Sequence, residues 1–347
     1  MNAVIKLLQR LIATPSVSRQ EAATADILQA YLTDIGLMPK RIGNNVVTVC
    51  GAYNSHKPNL LLCSHHDTVA PALGYCRNPY EAVIEEGRLY GLGSNDAGGA
   101  LVCLVEASRH LQSTNLPYNL FLALCAEEEV SGACGLPLVL QHLPKIDAAI
   151  VGEPTGMKAA IGERGLMVLD GEAAGVSGHA ARGDGVNAIY MALKDIDTLK
   201  HICFDKESSV MGSVHLQTTQ IDGGIQHNVV PDRCRFVVDV RTTDVYTNQE
   251  VYQILQSKVQ SRLTPRSLHH AASVTPAGSP LLEAIARLVI DTYISPTTSD
   301  WIHLRCPALK IGPGDSCRSH TADEYILLSE LEEGVAGYIR LLEALFN

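Results

Sequence analysis

Short, continuously apolar runs alternate with amphipathic stretches along most of this chain. From Asn2 to Gly36 the apolar residues recur at helical spacing, and Pro15 and Ser16 divide the stretch into two predicted helices. The pattern then turns to four compact runs: Asn59 to Ser64, Asn119 to Ala126, Asp147 to Gly152 and Pro307 to Gly312. Runs of this kind suit parallel strands covered by helices on both faces. Each leads into ionisable residues. His65, His66 and Asp67 follow the first, Glu127, Glu128 and Glu129 the second, Glu153 the third, and His320 lies beyond Pro313 and Gly314 after the fourth. A fifth segment, Arg88 to Asn95, delivers Asp96 ahead of Gly98, Gly99 and an apolar helix from Ala100 to Leu111. Open α/β sheets bind ligands beyond the carboxyl ends of their strands, so these distant segments are predicted to converge on one site.

Between about Gly165 and Ala272 the order of elements changes. Strand Leu166 to Ala173, helix Val186 to Leu199, strands Val214 to Ile221 and Arg233 to Arg241, helix Gln249 to Arg262 and strand Leu268 to Val274 form the split βαβ, ferredoxin-like sequence of elements. Because His320 lies beyond this module, it reads as an insertion. The expectation is an α/β catalytic domain with a mostly parallel sheet flanked by helices, formed by residues 1–164 and 273–347, and an inserted ferredoxin-like α+β domain at residues 165–272.

Composition narrows the classes of function. With 347 residues the chain is long enough for two domains. A hydrophobic share of 46% with 18% charged residues fits a soluble globular protein. Lys6 and Arg10 interrupt the start of the chain, so no secretory signal is expected. A net charge of −10 without a basic run argues against binding to nucleic acid or an anionic membrane, and invites a cation. Ten cysteines without any Cys-x-x-Cys pair, several within apolar runs, read as reduced thiols in a cytoplasmic protein.

The candidate metal ligands are His65, Asp96, Glu129, Glu153 and His320. A single catalytic zinc takes three protein ligands and a water, so two imidazoles and three carboxylates suit two ions. With Asp96 as bridge, each ion receives one histidine, one further carboxylate and a share of Asp96. Two divalent cations then balance three carboxylates and a hydroxide. Asp67, two residues beyond His65, is placed to hold the imidazole in its ligating tautomer. Glu128, next to Glu129 and pointing the other way if the strand continues, is placed to act as general base.

The strings SHHDTVAP (Ser64 to Pro71), GLGSNDAGG (Gly91 to Gly99), AEEEVSGACG (Ala126 to Gly135), VGEPT (Val151 to Thr155) and GPGDSCRSHTADEY (Gly312 to Tyr325) carry a family resemblance. Together with GVSGHAA (Gly175 to Ala181), GGIQHNVVPD (Gly223 to Asp232) and the arginine of VVDVR, they resemble the dinuclear-zinc amidohydrolases of the acetylornithine deacetylase, succinyl-diaminopimelate desuccinylase and carboxypeptidase G2 group. The resemblance spans nearly the whole chain, in order. It implies that His65 and Glu153 hold one Zn2+ and Glu129 and His320 the other, with Asp96 bridging and Co2+ able to substitute. It further implies Glu128 as general base, Asp67 as the acid behind His65, His179 as an oxyanion donor to the partner subunit of a homodimer formed through the inserted domain, and Asn228 and Arg241 as substrate contacts. Four positions depart from the family's pattern. Ser64 replaces the usual Gly, Glu127 stands where Asp is frequent, and Ala97 and Gly98 replace a common Met-Lys, so no lysine role is carried over.

The resemblance implies hydrolysis of the amide of a small-molecule N-acyl-L-amino acid, with N-acetyl-L-ornithine or N-succinyl-L-ornithine of arginine biosynthesis foremost. A succinyl-diaminopimelate desuccinylase, a peptidase of the same group, and a non-catalytic metal-binding protein on this scaffold are the alternatives. A succinyl group needs a further cation, for which Arg182 and Arg318 are candidates.

Overall fold

Residues 1–346 are described by a computed structural model of the chain. It divides into two compact units. The first comprises Met1–Ile161, Val274–Tyr293 and the chain from Ser299 onward; the second comprises Gly162–Ser273 and Ile294–Thr298. The short segment Ile294–Thr298, expected in the first unit, belongs to the second. Its backbone is held there by the Arg164 N–H donating to the Ser295 carbonyl at 3.2 Å and by Arg241 donating to the Pro296 carbonyl at 3.4 Å.

In the first unit, strand Asn59–His65 lies between two parallel neighbours, Asn119–Cys125 and Ala148–Val151, and Ala308–Lys310 runs parallel to the latter. Asn45–Cys50 joins Asn119–Cys125 antiparallel, and Lys40–Ile42 closes that edge as a hairpin. Successive side chains of the central strands serve opposite faces of the sheet. Leu60, Leu62, Leu120, Leu122 and Ile150 enter one apolar layer with residues of helices Asn2–Ile12, Ala22–Asp34, Gly99–Leu111 and Leu328–Ala344. Leu61, Cys63, Phe121 and Ala123 enter the other, with Leu136, Val139 and Trp301. Burial on both faces is why these strands read as unbroken apolar runs. Their shared direction brings His65, the Glu127–Glu129 turn and Glu153 to one edge of the sheet.

The second unit is a four-stranded antiparallel sheet in the spatial order His215–Gly223, Arg233–Thr242, Gly165–Ala174, Arg262–Pro265. This is the ferredoxin-like order. Met167, Leu169, Phe236, Val238 and Val240 alternate with more exposed residues and pack with Ala188, Ala192 and Leu199 of helix Ala188–Lys200 and with Val251 and Leu255 of helix Asn248–Lys258. The second helix begins with a Thr247/Glu250 capping box.

Its end corrects the sequence reading. The helix stops at Lys258 rather than Arg262, and the fourth strand is Arg262–Pro265 rather than Leu268 to Val274. The buried Asp195 carboxylate accepts the Gln260 and Ser261 N–H groups and so draws the chain out of the helix. Ser273–Val274 instead pairs in the large sheet. Among the described residues, no helix is long and apolar enough to cross a membrane.

Candidate metal centre

His65 ends the central strand with its side chain almost wholly buried. Its Nδ1 lies 3.0 Å from the Asp67 main-chain carbonyl. A carbonyl can only accept, so Nδ1 carries the proton and Nε2 turns its lone pair toward the cluster. The Asp67 carboxylate is 3.5 Å from the same nitrogen. Its stronger contacts lie elsewhere, because it accepts the Ser18 hydroxyl at 2.7 Å and the N–H groups of Glu128 and Glu129 at 3.0 and 3.2 Å. Asp67 therefore fixes the turn that bears two of the candidate site carboxylates as well as the imidazole. Sequence reading found Asp67 but not this second task.

The turn itself differs from the expected strand continuation. The strand ends at Cys125, Glu127 takes a left-handed φ of 57°, and Glu128–Val130 form a 3-10 turn. The buried Glu21 carboxylate accepts the Glu127 N–H at 3.3 Å and the Asn44 side-chain amide at 3.0 Å. Because the chain coils here, Glu128 and Glu129 both reach the cluster, whereas an extended strand would have sent them to opposite faces.

Asp96 occupies the middle of the arrangement. Its Oδ1 lies 3.3 Å from His65 Nε2 and its Oδ2 lies 3.7 Å from His320 Nε2. Glu129 is 2.9 Å from His320 Nε2, and Glu128 and Glu153 are each 3.8 Å from His65 Nε2. His65, Asp96 and Glu129 can offer three ligand atoms all within 4.8 Å of one another, as can His65, Glu128 and Glu153. His320, with φ of 59°, presents a half-exposed ring. All six side chains belong to the first unit.

The electrostatics match a cation site. Burial opposes charge on His65, yet Glu128, Asp67, Asp96 and Glu153 push its pKa well above the ordinary histidine value. Its hydrogen bond to Glu129 raises His320 to about 9. Burial, reinforced by neighbouring carboxylates, raises Glu128 well above the usual range and Glu153 to about 8. Four carboxyl groups crowd two imidazoles here, so their ionised forms repel one another, a repulsion that divalent ions would relieve, and nitrogen and oxygen donors at this spacing fit such ions.

His66 faces away from this cluster. Its Nε2 donates to the Asn44 carbonyl at 3.0 Å, Nδ1 lies 2.9 Å from the Thr24 hydroxyl, and burial lowers its pKa to about 4. The Ser64 hydroxyl donates to the Gly152 carbonyl at 2.8 Å, so this departure from the family pattern adds a tie between two site-bearing strands.

The candidates His179, Asn228 and Arg241 lie in the second unit. His179 Nδ1 accepts the Ala181 N–H at 3.2 Å, which leaves Nε2 as the nitrogen that carries the proton on an exposed ring. The Asn228 carbonyl accepts the Ala180 N–H at 3.0 Å, and Val229 pairs with His179, so Asn228 neighbours that loop. Arg241 is elsewhere on the sheet and holds Asp239 through two hydrogen bonds of 2.7 and 3.1 Å. Arg318, in the first unit, makes a bidentate pair with Glu330 at 2.7 and 2.9 Å and stacks over Tyr325.

The sequence profile of peptidase family M20/M25/M40 matches residues 61–344. The acetylornithine deacetylase of Proteus mirabilis (strain HI4320) is 27% identical over 362 aligned positions, covering 94% of this chain and 93% of the relative. The acetylornithine deacetylase of Edwardsiella ictaluri (strain 93-146) is also 27% identical, covering 93% and 92%. Among solved structures, the M20 family metallo-carboxypeptidase Sso-CP2 of Sulfolobus solfataricus superposes with a TM-score of 0.77 at 17% identity, covering 99% of each chain. Bacillus subtilis YXEP, a dinuclear metal-binding peptidase of the M20 family, gives 0.74 at 15% identity, covering 99% of this chain and 97% of that one. At these identities the structural likeness is one of fold, while the profile covers most of the chain: the protein is a hydrolase belonging to peptidase family M20/M25/M40.

Proposed function

We propose that this chain is a dinuclear zinc amidohydrolase that cleaves the amide of an N-acyl-L-amino acid, N-acetyl-L-ornithine or N-succinyl-L-ornithine foremost, releasing L-ornithine for arginine biosynthesis. The carrying observation is Asp96, whose two oxygens face His65 and His320 separately. In this reading His65, Glu153 and Asp96 hold one ion and Glu129, His320 and Asp96 the other, with Co2+ as a substitute. The ions supply Lewis acidity toward the acyl carbonyl and the attacking water.

The chain's own residues do the rest. Glu128 accepts the proton of the attacking water and returns it to the leaving amine. Asp67 holds the His65 ring and the Glu128–Glu129 backbone in register through the contacts described above. The Nε2–H of His179 is available to donate to the developing oxyanion, in the active site of the partner subunit of a homodimer formed through the second unit. Asn228 and Arg241 contact the substrate, and Arg241 must exchange Asp239 for a substrate carboxylate to grip it. The acetylornithine deacetylase relatives support an N-acetyl amino acid as substrate. Glu330 already engages Arg318, which weighs against that arginine as reader of a second carboxylate and leaves Arg182 for a succinyl group. Ten free thiols are compatible with the reducing cytoplasm.

The test is metal content and turnover together. The purified chain is expected to retain about two zinc ions per chain. Glu128→Ala is expected to keep them while losing about 10²- to 10⁴-fold in hydrolysis rate. Full activity in that variant would remove Glu128 from the chemistry, and a panel of N-acetyl-ornithine, N-succinyl-ornithine, N-acetyl-citrulline and N-succinyl-diaminopimelate would identify the substrate.

A further inference from the structure

Glu324 is only 2% exposed, and its side chain meets three backbone donors on one loop. One carboxylate oxygen accepts the N–H groups of Asn95 and Asp96 at 2.8 and 2.9 Å, and the other accepts that of Gly93 at 3.0 Å. Its own carbonyl accepts the Gly91 N–H at 2.9 Å. The loop that presents Asp96 is thus gripped along its length by one residue, four positions beyond His320. A second strap joins the same two segments: the Asn95 amide exchanges two hydrogen bonds with the Asp315 backbone, at 2.9 and 3.1 Å. Neighbouring Asp323 turns elsewhere, accepting the N–H groups of Cys76 and Arg77 at 3.0 Å, on a loop without any of the candidate ligands.

We infer that Glu324 is a positioning residue that couples the two halves of the metal centre. By locking the backbone of Asp96 to the turn bearing His320, it sets the bridging carboxylate so that each oxygen serves a different ion. A carboxylate suits the task because it alone among side chains of this size accepts all three N–H groups without presenting a donor to any of them. The inference rests on the dinuclear reading proposed above.

The experiment is a Co2+ titration of the chelator-treated full chain, followed by visible absorption and by calorimetry, for the unaltered protein, Glu324→Ala, Glu324→Gln and Asp323→Asn. The unaltered protein is expected to bind two equivalents. Glu324→Ala is expected to bind at least one of them about 10- to 100-fold more weakly, the usual effect of losing a group that orients a ligand, with altered cobalt bands. Glu324→Gln keeps one acceptor oxygen and is expected to fall between, and it carries the test if the alanine variant does not fold. Asp323→Asn is expected to lower Tm without changing either affinity. Glu324 variants that bind two equivalents as tightly as the unaltered chain, whatever their Tm, would overturn the inference. An unaltered chain that binds fewer than two would overturn the dinuclear reading, and this inference with it.

Discussion

At the scale of single residues, neighbouring histidines have opposite fates. His65 turns its Nε2 into a nest of carboxylates, whereas His66 is buried against Asn44 and Thr24 with no acid among the described residues in hydrogen-bond reach. Burial holds the His66 pKa near 4, while an unfolded histidine titrates near 6.5. Between these values the unfolded chain binds the proton and the folded chain does not, so stability is full above about pH 6.5 and is lost as pH falls toward 4. The difference corresponds to roughly 3 kcal/mol from this one ring. His66→Gln is expected to flatten the decline of Tm between pH 6.5 and 4 relative to the unaltered protein; parallel Tm curves would show that His66 contributes nothing to the acid sensitivity. The sequence offered the doublet and already pointed to His65 as its ligand member; what the structure adds is the pair of contacts, to Asn44 and Thr24, that turns His66 away from the acids.

At the scale of elements, the two units keep their order by different patterns. The central strands of the first are buried on both faces, and those of the second alternate between a helix-covered face and an open one. Both patterns are written in the sequence as continuous and alternating apolar runs. The fourth strand of the second unit lies earlier than its apolar pattern predicts because its start depends on Asp195, some 65 positions away, taking the Gln260 N–H. Phe236 is the largest fully buried side chain of this unit, and Gly171 leaves room for its ring. Phe236→Ala is expected to destabilise the second unit by about 3–5 kcal/mol. Since every candidate ligand lies in the first unit, metal content of the folded variant is expected to be unchanged. Loss of bound metal from a still-folded Phe236→Ala protein would contradict that separation.

At the scale of the whole molecule, the proposed chemistry divides between two chains. If His179 serves the partner's active site, Glu128→Ala and His179→Ala homodimers are each inactive by a different route. Dissociating, mixing and reassociating them creates hybrid dimers with one intact site, and roughly a quarter of the original activity is expected to return in an equal mixture. No recovery, in a mixture shown by mass to contain hybrids, would place His179 in its own subunit's reaction or outside it.

The amino-acid sequence by itself determined the kinds of chemistry available and their order. Histidines and carboxylates stand just beyond apolar runs, and strand direction alone is enough to gather such residues at one sheet edge. The candidate ligands were legible for that reason. What only the tertiary structure decided is how those groups are held. The Glu127 turn that brings both Glu128 and Glu129 inward, the grip of Asp67 on their backbone, the Glu330 partner of Arg318 and the straps from Glu324 and Asn95 are contacts from unremarkable polar positions to backbone or side chains elsewhere. Asp96 and Glu324 are separated by 228 positions. No local periodicity or propensity encodes such a pairing, because its free energy exists only after the sheet has brought the two loops together and removed water from between them.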